Sequence, residues 1–351
     1  MRDFSLLKYQ LLLEELLAAG YSLLPVVEFL CTDAKKAVAL RHDVDLHIDR
    51  ALTMARIEYD LRLQTTYYFR KKDIVNNPDA IKEIAALGHE TGYHYENLSE
   101  YKGDAEAAYS DFCDSLHTLR TITWADGVCA HGSPLSKFKN TDLWDRYSYR
   151  TAGAAYELSR DIRYDNVCYL SDTGRRWDCG TFNFRDRVAQ PWQFQHIKTT
   201  DDLIKALREN LFPDKILLNV HPQRWNDRAW RWFIELVGQW VKNGVKRGVG
   251  GCHLCMKVPH PDKYETGDQI RRSSQSIKDN IVEGYGRRRY KADFVKFLTY
   301  CYASLPEAES QSEFLYELHQ KKEWKLIIQR LNLLGSKLYK FREYVIKKWK
   351  T

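Results

Sequence analysis

The sequence predicts an α/β fold, a barrel of parallel strands and helices, followed by an all-α helical region. Three observations carry this. Between about residues 37 and 225, short β-branched or aromatic runs alternate with stretches whose apolar residues recur at helical spacing, the pattern of βαβ units in a parallel sheet. After Lys263 the strand-like runs cease and only helical patterns follow. Charge divides at the same place. Residues 265–351 hold 18 Lys+Arg against 11 Asp+Glu, the first 264 hold 36 of each, and the whole formal excess of +7 lies in the last quarter.

The elements follow in order. "MRDFSLLKYQLLLEELLAAG" is apolar but carries Glu14 and Glu15, so it reads as an amphipathic helix and not as a signal peptide. "KAVALRHD" reads as a strand ending on polar residues, and "HIDRALTMARIEYDL" as a helix with Asp49 near its start. "QTTYYFR" is a strand by its β-branched and aromatic content. "NPDAIKEIAALG" is a helix with Pro78 early and Gly88 just past its end. "HETGYHY" reads as a short strand, "EAAYSDFCDSLHTLR" as a helix, and "GVCAHGS", "VCYLSDTG" and "KILLNVHP" as further strands. Gly and Pro cluster in "GVGGCHLCMKVPHPDKYETG", which places a boundary between domains at 1–258 and 263–351. No stretch approaches the ~20 apolar residues of a membrane span, and a cytoplasmic protein is expected.

Eight cysteines are scattered along the chain, unlike a disulfide framework. Only Cys252 and Cys255 form a Cys-x-x-Cys pair. A structural zinc would need two more ligands at matching spacing, so reduced thiols are expected.

In a parallel barrel, chemistry sits at the C-terminal ends of the strands. Four such ends carry ionisable groups: His42-Asp43-Val44-Asp45, His131-Gly132-Ser133, Asp172-Thr173-Gly174 and His221-Pro222. Asp43 and Asp45 share a face if the chain is still extended there. Two carboxylates on one face can divide the work, one holding a divalent metal and the other taking a proton from water; the competing assignment is a solvated turn. "GHETGYHYENLSEY" adds His89 and His94, which a strand after the Gly88 turn can bring to the barrel mouth.

"RHDVD", "TTYYFR" and "ALGHETGYHYENL", in this order and spacing, resemble the polysaccharide deacetylase superfamily, and "CAHGSPLSKF", "YLSDTGRRWD" and "LLNVHPQRW" resemble a bacterial branch of it, over roughly 35–245. The resemblance implies an irregular, incomplete (β/α) barrel. It also implies a metal-dependent hydrolase that removes acyl groups from sugars at a non-peptide C–N or an ester bond. Carried over by motif, Asp43 matches the general base, Asp45 and His94 match metal ligands, and His221 matches the general acid. The usual second ligand histidine falls at Leu98, which cannot bind metal. His131 is the first candidate to replace it and Glu96 the second. The expected ion is Zn²⁺, with Fe, Co, Ni and Mn also compatible with an Asp/His set. Arg70, Arg175, Arg176 and Trp225 follow predicted strands and are candidates for holding a sugar or an anionic group; surface salt bridges and a packed indole are the competing assignment. The expected substrate is a carbohydrate or a nucleotide- or lipid-linked sugar precursor.

"QIRRSSQSIKDNIVEGYGRR" and "FVKFLTYCYASLPEAE", with the closing amphipathic helix, resemble the four-helix-bundle family related to proteins encoded within intervening sequences of bacterial 23S ribosomal RNA genes. The family's first helix has no separate counterpart before "DKYETGDQIRR". The bundle is expected to lack a helix, to borrow one from the first domain, or to complete itself with another subunit. This module is expected to drive homo-oligomer formation, while Arg287 to Lys291 in "GRRRYK" raise RNA as a partner. Two alternatives to the enzyme stand beside it: a non-catalytic deacetylase-like scaffold that binds a glycan, and an RNA- or protein-binding role through the basic tail.

Overall fold

The structure, a computed structural model, describes residues 2–133, 136–178, 188, 190–192, 197–227 and 265–349. The chain divides into two compact units, Met1–Leu236 and Val237–Thr351. The expected boundary segment up to residue 264, with Cys252 and Cys255 in it, lies outside the described residues.

The first unit alternates strands and helices. It runs α1 (Leu6–Ala18), β1 (Ser22–Leu24), α2 (Val26–Cys31), β2 (Ala37–Val44), α3 (Ile48–Asp60), β3 (Thr66–Phe69), α4 (Lys71–Asn76), α5 (Pro78–Ala86) and β4 (Glu90–Tyr95). It continues through α6 (Asn97–Glu100), α7 (Ala105–Ile122), β5 (Ala125–Ala130), β6 (Tyr156–Glu157), α8 (Leu158–Asp161), β7 (Cys168–Ser171), α9 (Thr200–Arg208) and β8 (Lys215–Val220). All strand pairs are parallel, in the order β6-β5-β4-β3-β2-β8-β7, with β1 beside the start of β2. The sheet curls into an open half-barrel with helices around it, the irregular barrel that the sequence predicts. The strands β1 and β6, of three and two residues, are too short to leave a periodic signal in the sequence.

Strand β2 is the centre, and all eight of its residues are buried. Its side chains alternate between two faces. Val38 and Leu40 pack with α1 and α9, while Ala37 and Ala39 join Tyr68, Cys129, Tyr169 and Leu217 inside the half-barrel. His42 follows the first set. Its Nε2 lies 2.7 Å from Glu58 Oε1 on α3, and its ring stacks on Tyr67 at 4.2 Å. Glu58 is fully buried and also accepts from the hydroxyls of Tyr9, Thr65 (2.7 Å) and Tyr67 (2.9 Å). Burial alone would raise its pKa, but the facing His42 and His89 imidazoles and these donors bring it down to about 2. His89 belongs to this pocket, with Nε2 donating to the Ala55 carbonyl at 2.9 Å. The expectation that His89 reaches the barrel mouth is therefore corrected: it precedes β4 and turns toward α3.

The second unit contains, among the described residues, three long helices: α10 (Thr266–Gly286), α11 (Lys291–His319) and α12 (Lys322–Lys348). Ile270, Leu315 and Trp324 form one core cluster, and Phe294 packs on Phe341 and Trp349 with ring centroids 5.7 and 5.4 Å apart. Among the described residues no helix is long and apolar enough to cross a membrane.

Gly92 in β4 permits the sheet to close around the centre. A Cβ there would stand 2.6 Å from both the Gly127 carbonyl oxygen and the Tyr68 ring. The Gly92→Ala variant is expected to lose about 1–3 kcal/mol of stability, read as a lower urea midpoint, because backbone on β5 must move to admit the methyl. An unchanged midpoint would contradict the close approach.

Candidate metal and catalytic site

The odd-numbered face of β2 ends on Asp43, and Asp45 follows one residue beyond the strand. The parallel register brings the other groups to the same end: His94 near the end of β4, His131 one residue past β5, Asp172 one past β7 and His221 one past β8. The structure thus gathers Asp43, Asp45, His94, His131 and His221, which lie in four separate sequence segments.

Asp45, His94 and His131 form one group whose donor atoms all lie within 4.8 Å of one another. Nε2 of His94 and Nε2 of His131 are each 3.5 Å from Asp45 Oδ1. That is long for a hydrogen bond, and the buried Oδ1 has no hydrogen-bond partner. Both rings are fixed from behind. His94 Nδ1 donates to the Cys129 carbonyl at 3.0 Å, and His131 Nδ1 lies 2.8 Å from Glu96 Oε2. Acceptors at Nδ1 hold one proton there and turn Nε2 of each ring toward Asp45, the atom that would bind a cation in place of its own proton. Burial would raise the Asp45 pKa, but the surrounding imidazoles hold it well below the usual carboxylate range. Two imidazoles, a carboxylate oxygen left without a donor, and oriented back sides make a donor set that fits a divalent cation such as Zn²⁺. Glu96 therefore stands behind His131, where Arg70 Nε also donates to it at 2.7 Å, and Leu98 is buried in the apolar core.

A second grouping of Asp43, His94 and Cys129 also lies within 4.8 Å. Arg41 already occupies it, with Nη1 2.6 Å from Cys129 Sγ and Nη2 3.4 Å from Asp43 Oδ2. A buried guanidinium there disfavours a second cation.

Asp43 and His221 face each other across this group. Asp43 Oδ2 accepts from Asn219 Nδ2 at 3.0 Å, while its buried Oδ1 has no hydrogen-bond partner. Burial works against its charge, and Arg41, His94 and His221 outweigh it, so the Asp43 pKa is lowered. His221 Nε2 lies 4.0 Å from Asp43 Oδ2 and 3.9 Å from Asp45 Oδ2. Its Nδ1 donates to Asp172 Oδ1 at 2.6 Å, and its backbone N donates to Asp172 Oδ2 at 3.0 Å. Asp172 is fully buried, and Arg224 and Trp225 also donate to it, the indole Nε1 at 3.0 Å. Burial notwithstanding, Arg224 and His221 lower its pKa to about 2.

The four candidate substrate-binding residues separate. Trp225 has no exposed surface and packs against Phe4 and Tyr9, so it does not face a substrate and instead helps hold Asp172; the packed-indole assignment is the one realised. Arg175 is buried over the Phe4 ring, with Nη1 donating to the Arg224 carbonyl at 3.1 Å. Arg176 is engaged by Asp178, and Arg70 is paired with Glu96 behind His131. Asp172 is visible in sequence as a strand-end carboxylate, but its role depends on β7 and β8 being neighbours.

No curated protein matches the chain. Among solved structures, the first unit is similar to a protein titled "T48 deacetylase with substrate" (TM-score 0.31, 15% identity, 58% of this chain and 83% of that one). It is also similar to a CE4 family pseudoenzyme from Bacillus anthracis (TM-score 0.33, 12% identity, 59% of this chain and 61% of that one). A peptidoglycan deacetylase from Bdellovibrio bacteriovorus aligns with TM-score 0.30 and 16% identity, over 59% of this chain and 50% of that one.

Metal analysis checks the donor set. Purified protein is expected to hold one divalent ion per chain, Asp45→Ala and His131→Ala to lose it, and Glu96→Gln to bind it about 10–100-fold more weakly. Stoichiometric metal in both alanine variants would overturn the assignment. Over residues 251–340 the chain matches the family described as 23S rRNA-intervening sequence protein.

Proposed function

We propose that the first unit is a metal-dependent hydrolase that removes an acyl group, acetyl in the simplest case, from a carbohydrate or sugar precursor. One observation carries the reading. An orphaned Asp45 oxygen faces two oriented imidazoles, with an ionised carboxylate and a carboxylate-backed histidine on either side. The motif resemblance supplies the substrate class.

Asp45, His94 and His131 would hold the ion, whose chemistry is to polarise the acyl carbonyl and make water acidic. Asp43 has a division within its own carboxylate. Oδ2 is held by Asn219 and Arg41, and Oδ1 is left to take the proton of the attacking water. As water adds to the carbonyl carbon, the C–N or C–O bond to the sugar breaks, and His221 Nε2 gives a proton to the departing nitrogen or oxygen. Asp172, bonded to Nδ1, fixes the ring and its tautomer, with Arg224 and Trp225 holding the carboxylate in place.

Acetate release from a panel of N- and O-acetylated sugars tests this. Activity is expected in the metal-loaded protein and lost on chelation. Asp43→Asn and His221→Ala are each expected to reduce kcat by about 10²–10⁴-fold with metal content unchanged. Glycan binding without acetate release would favour the scaffold reading instead.

We further propose that the helical unit takes an anionic polymer, RNA by preference, at one of its ends. Trp349 Nε1 donates to the Arg288 carbonyl at 3.3 Å, which ties the end of α12, with its Lys347 and Lys348, to the turn that carries Arg287, Arg288, Arg289 and Lys291 and an exposed Tyr290. Affinity of the full-length protein for RNA is expected to fall steeply with salt and to weaken in an Arg288→Ala/Arg289→Ala double variant. No affinity at low salt would remove this reading, and sedimentation of the same sample reads self-association.

A further inference from the structure

Around the proposed metal group, exposure is uneven. The side chains of Asp43, His94 and His221 are 7%, 2% and 7% exposed, against 20%, 18% and 21% for Asp45, His131 and Arg70. The more exposed of these groups stand at the ends of β2, β3 and β5, which gives that side the readier access to solvent. Lys72 of α4 stands on that side. Its Nζ donates to the backbone carbonyl of Asp45.

The cations around Lys72 are matched and Lys72 is not. Arg70 pairs with Glu96, and Lys71 pairs with Asp111. Among the described residues, the Lys72 ammonium is bonded to a neutral carbonyl and to no carboxylate. The charged groups whose fields act on it are Arg70, Asp73, Asp45 and Glu96. None of these carboxylates accepts a hydrogen bond from the Lys72 ammonium: Asp45 faces the two imidazoles, Glu96 holds Arg70 and His131, and Asp73 is buried, with Oδ1 accepting from Asn77 at 3.2 Å. A half-buried ammonium without an anion has lost part of its hydration and gained no charge partner in return. A carboxylate or phosphate brought beside it would form a charge-assisted hydrogen bond, and Lys serves such groups as a compact point charge.

We propose that Lys72, with Arg70 beside it, anchors an anionic substituent, phosphate or carboxylate, on the acylated sugar. The proposal rests on the acyl-hydrolase reading for its substrate class, and Lys72 acts as a specificity residue that touches no reacting atom. Acylated sugars bearing a charge would bind ahead of their neutral counterparts, and the gain would appear in KM and not in kcat.

The test is equilibrium binding by calorimetry to the zinc-loaded full-length protein. The ligands are N-acetylglucosamine-1-phosphate, N-acetylmuramic acid and neutral N-acetylglucosamine. At least one charged sugar is expected to bind roughly tenfold tighter than the neutral one, and which of the two does so separates phosphate from carboxylate. Lys72→Met is expected to abolish that difference without changing metal content or neutral-sugar affinity, and Lys72→Arg to restore most of it. Equal or absent binding of the three sugars would overturn the proposal. So would a Lys72→Met variant that weakens all of them alike, which is the result if the ammonium serves only to brace the Asp45 carbonyl. The two readings fail separately. Charge preference without acetate release removes the hydrolase and keeps the anchor, whereas acetate release without charge preference removes the anchor alone.

Discussion

Strand β2 is paired on both edges and covered on both faces, yet it carries Arg41, His42 and Asp43 in succession. Little solvent reaches these groups, so each needs a partner supplied by another element. Alternation decides which. His42 turns outward to Glu58 on α3, while Arg41 and Asp43 turn inward to Cys129, Asn219 and one another. The two pockets are separated only by the strand itself. The outer one gathers its hydrogen bonds around one carboxylate, as a structural pocket must. The inner one leaves buried carboxylate oxygens unmatched on Asp43 and Asp45, a cost that a fold carries where something else is to be bound.

Much of this is legible in the sequence. The six longer strands announce themselves through β-branched and aromatic runs, and the strand-end rule places Asp43, Asp45, His94, His131 and His221 near one another. His131, the first candidate to replace Leu98 by the family resemblance, stands at a strand end by the same rule, and the fold brings it to 3.5 Å from Asp45. What escapes is everything that depends on pairs far apart in the chain. Glu58 lies on a helix surface that looks ordinary in sequence, and nothing local says that five side chains will converge on it. Glu96 is the second candidate ligand in sequence and in the structure stands behind His131, at its Nδ1. Trp225 reads equally as a sugar contact or a packed indole, because an aromatic after a strand looks the same whether it faces the cleft or the core; only the packing of Phe4 and Tyr9 against it decides.

The helical unit shows the same limit differently. Its periodicity and charge mark it as a separate body, and the long helices fall where those patterns place them. Close packing is set by single positions that periodicity does not flag. Gly284 on α10 is one: a Cβ there would meet Phe297 Cβ at 2.7 Å. The approach of α12's end to the α10–α11 turn is another, because the hydrogen bond from Trp349 to Arg288 joins residues 61 apart.

The proposed ligands Asp45, His94 and His131 come from the ends of β2, β4 and β5, with β3 between. None of the three is adjacent in sequence to another, so no single βα unit can assemble the donor set; it needs β2 to β5 together. A slip of one residue between any two of these strands would turn one donor to the wrong face. An ion bound here would therefore recognise a correctly registered sheet and no other pairing. It would act as a proofreader of the fold, tying together strands that must find each other from across more than eighty residues of chain.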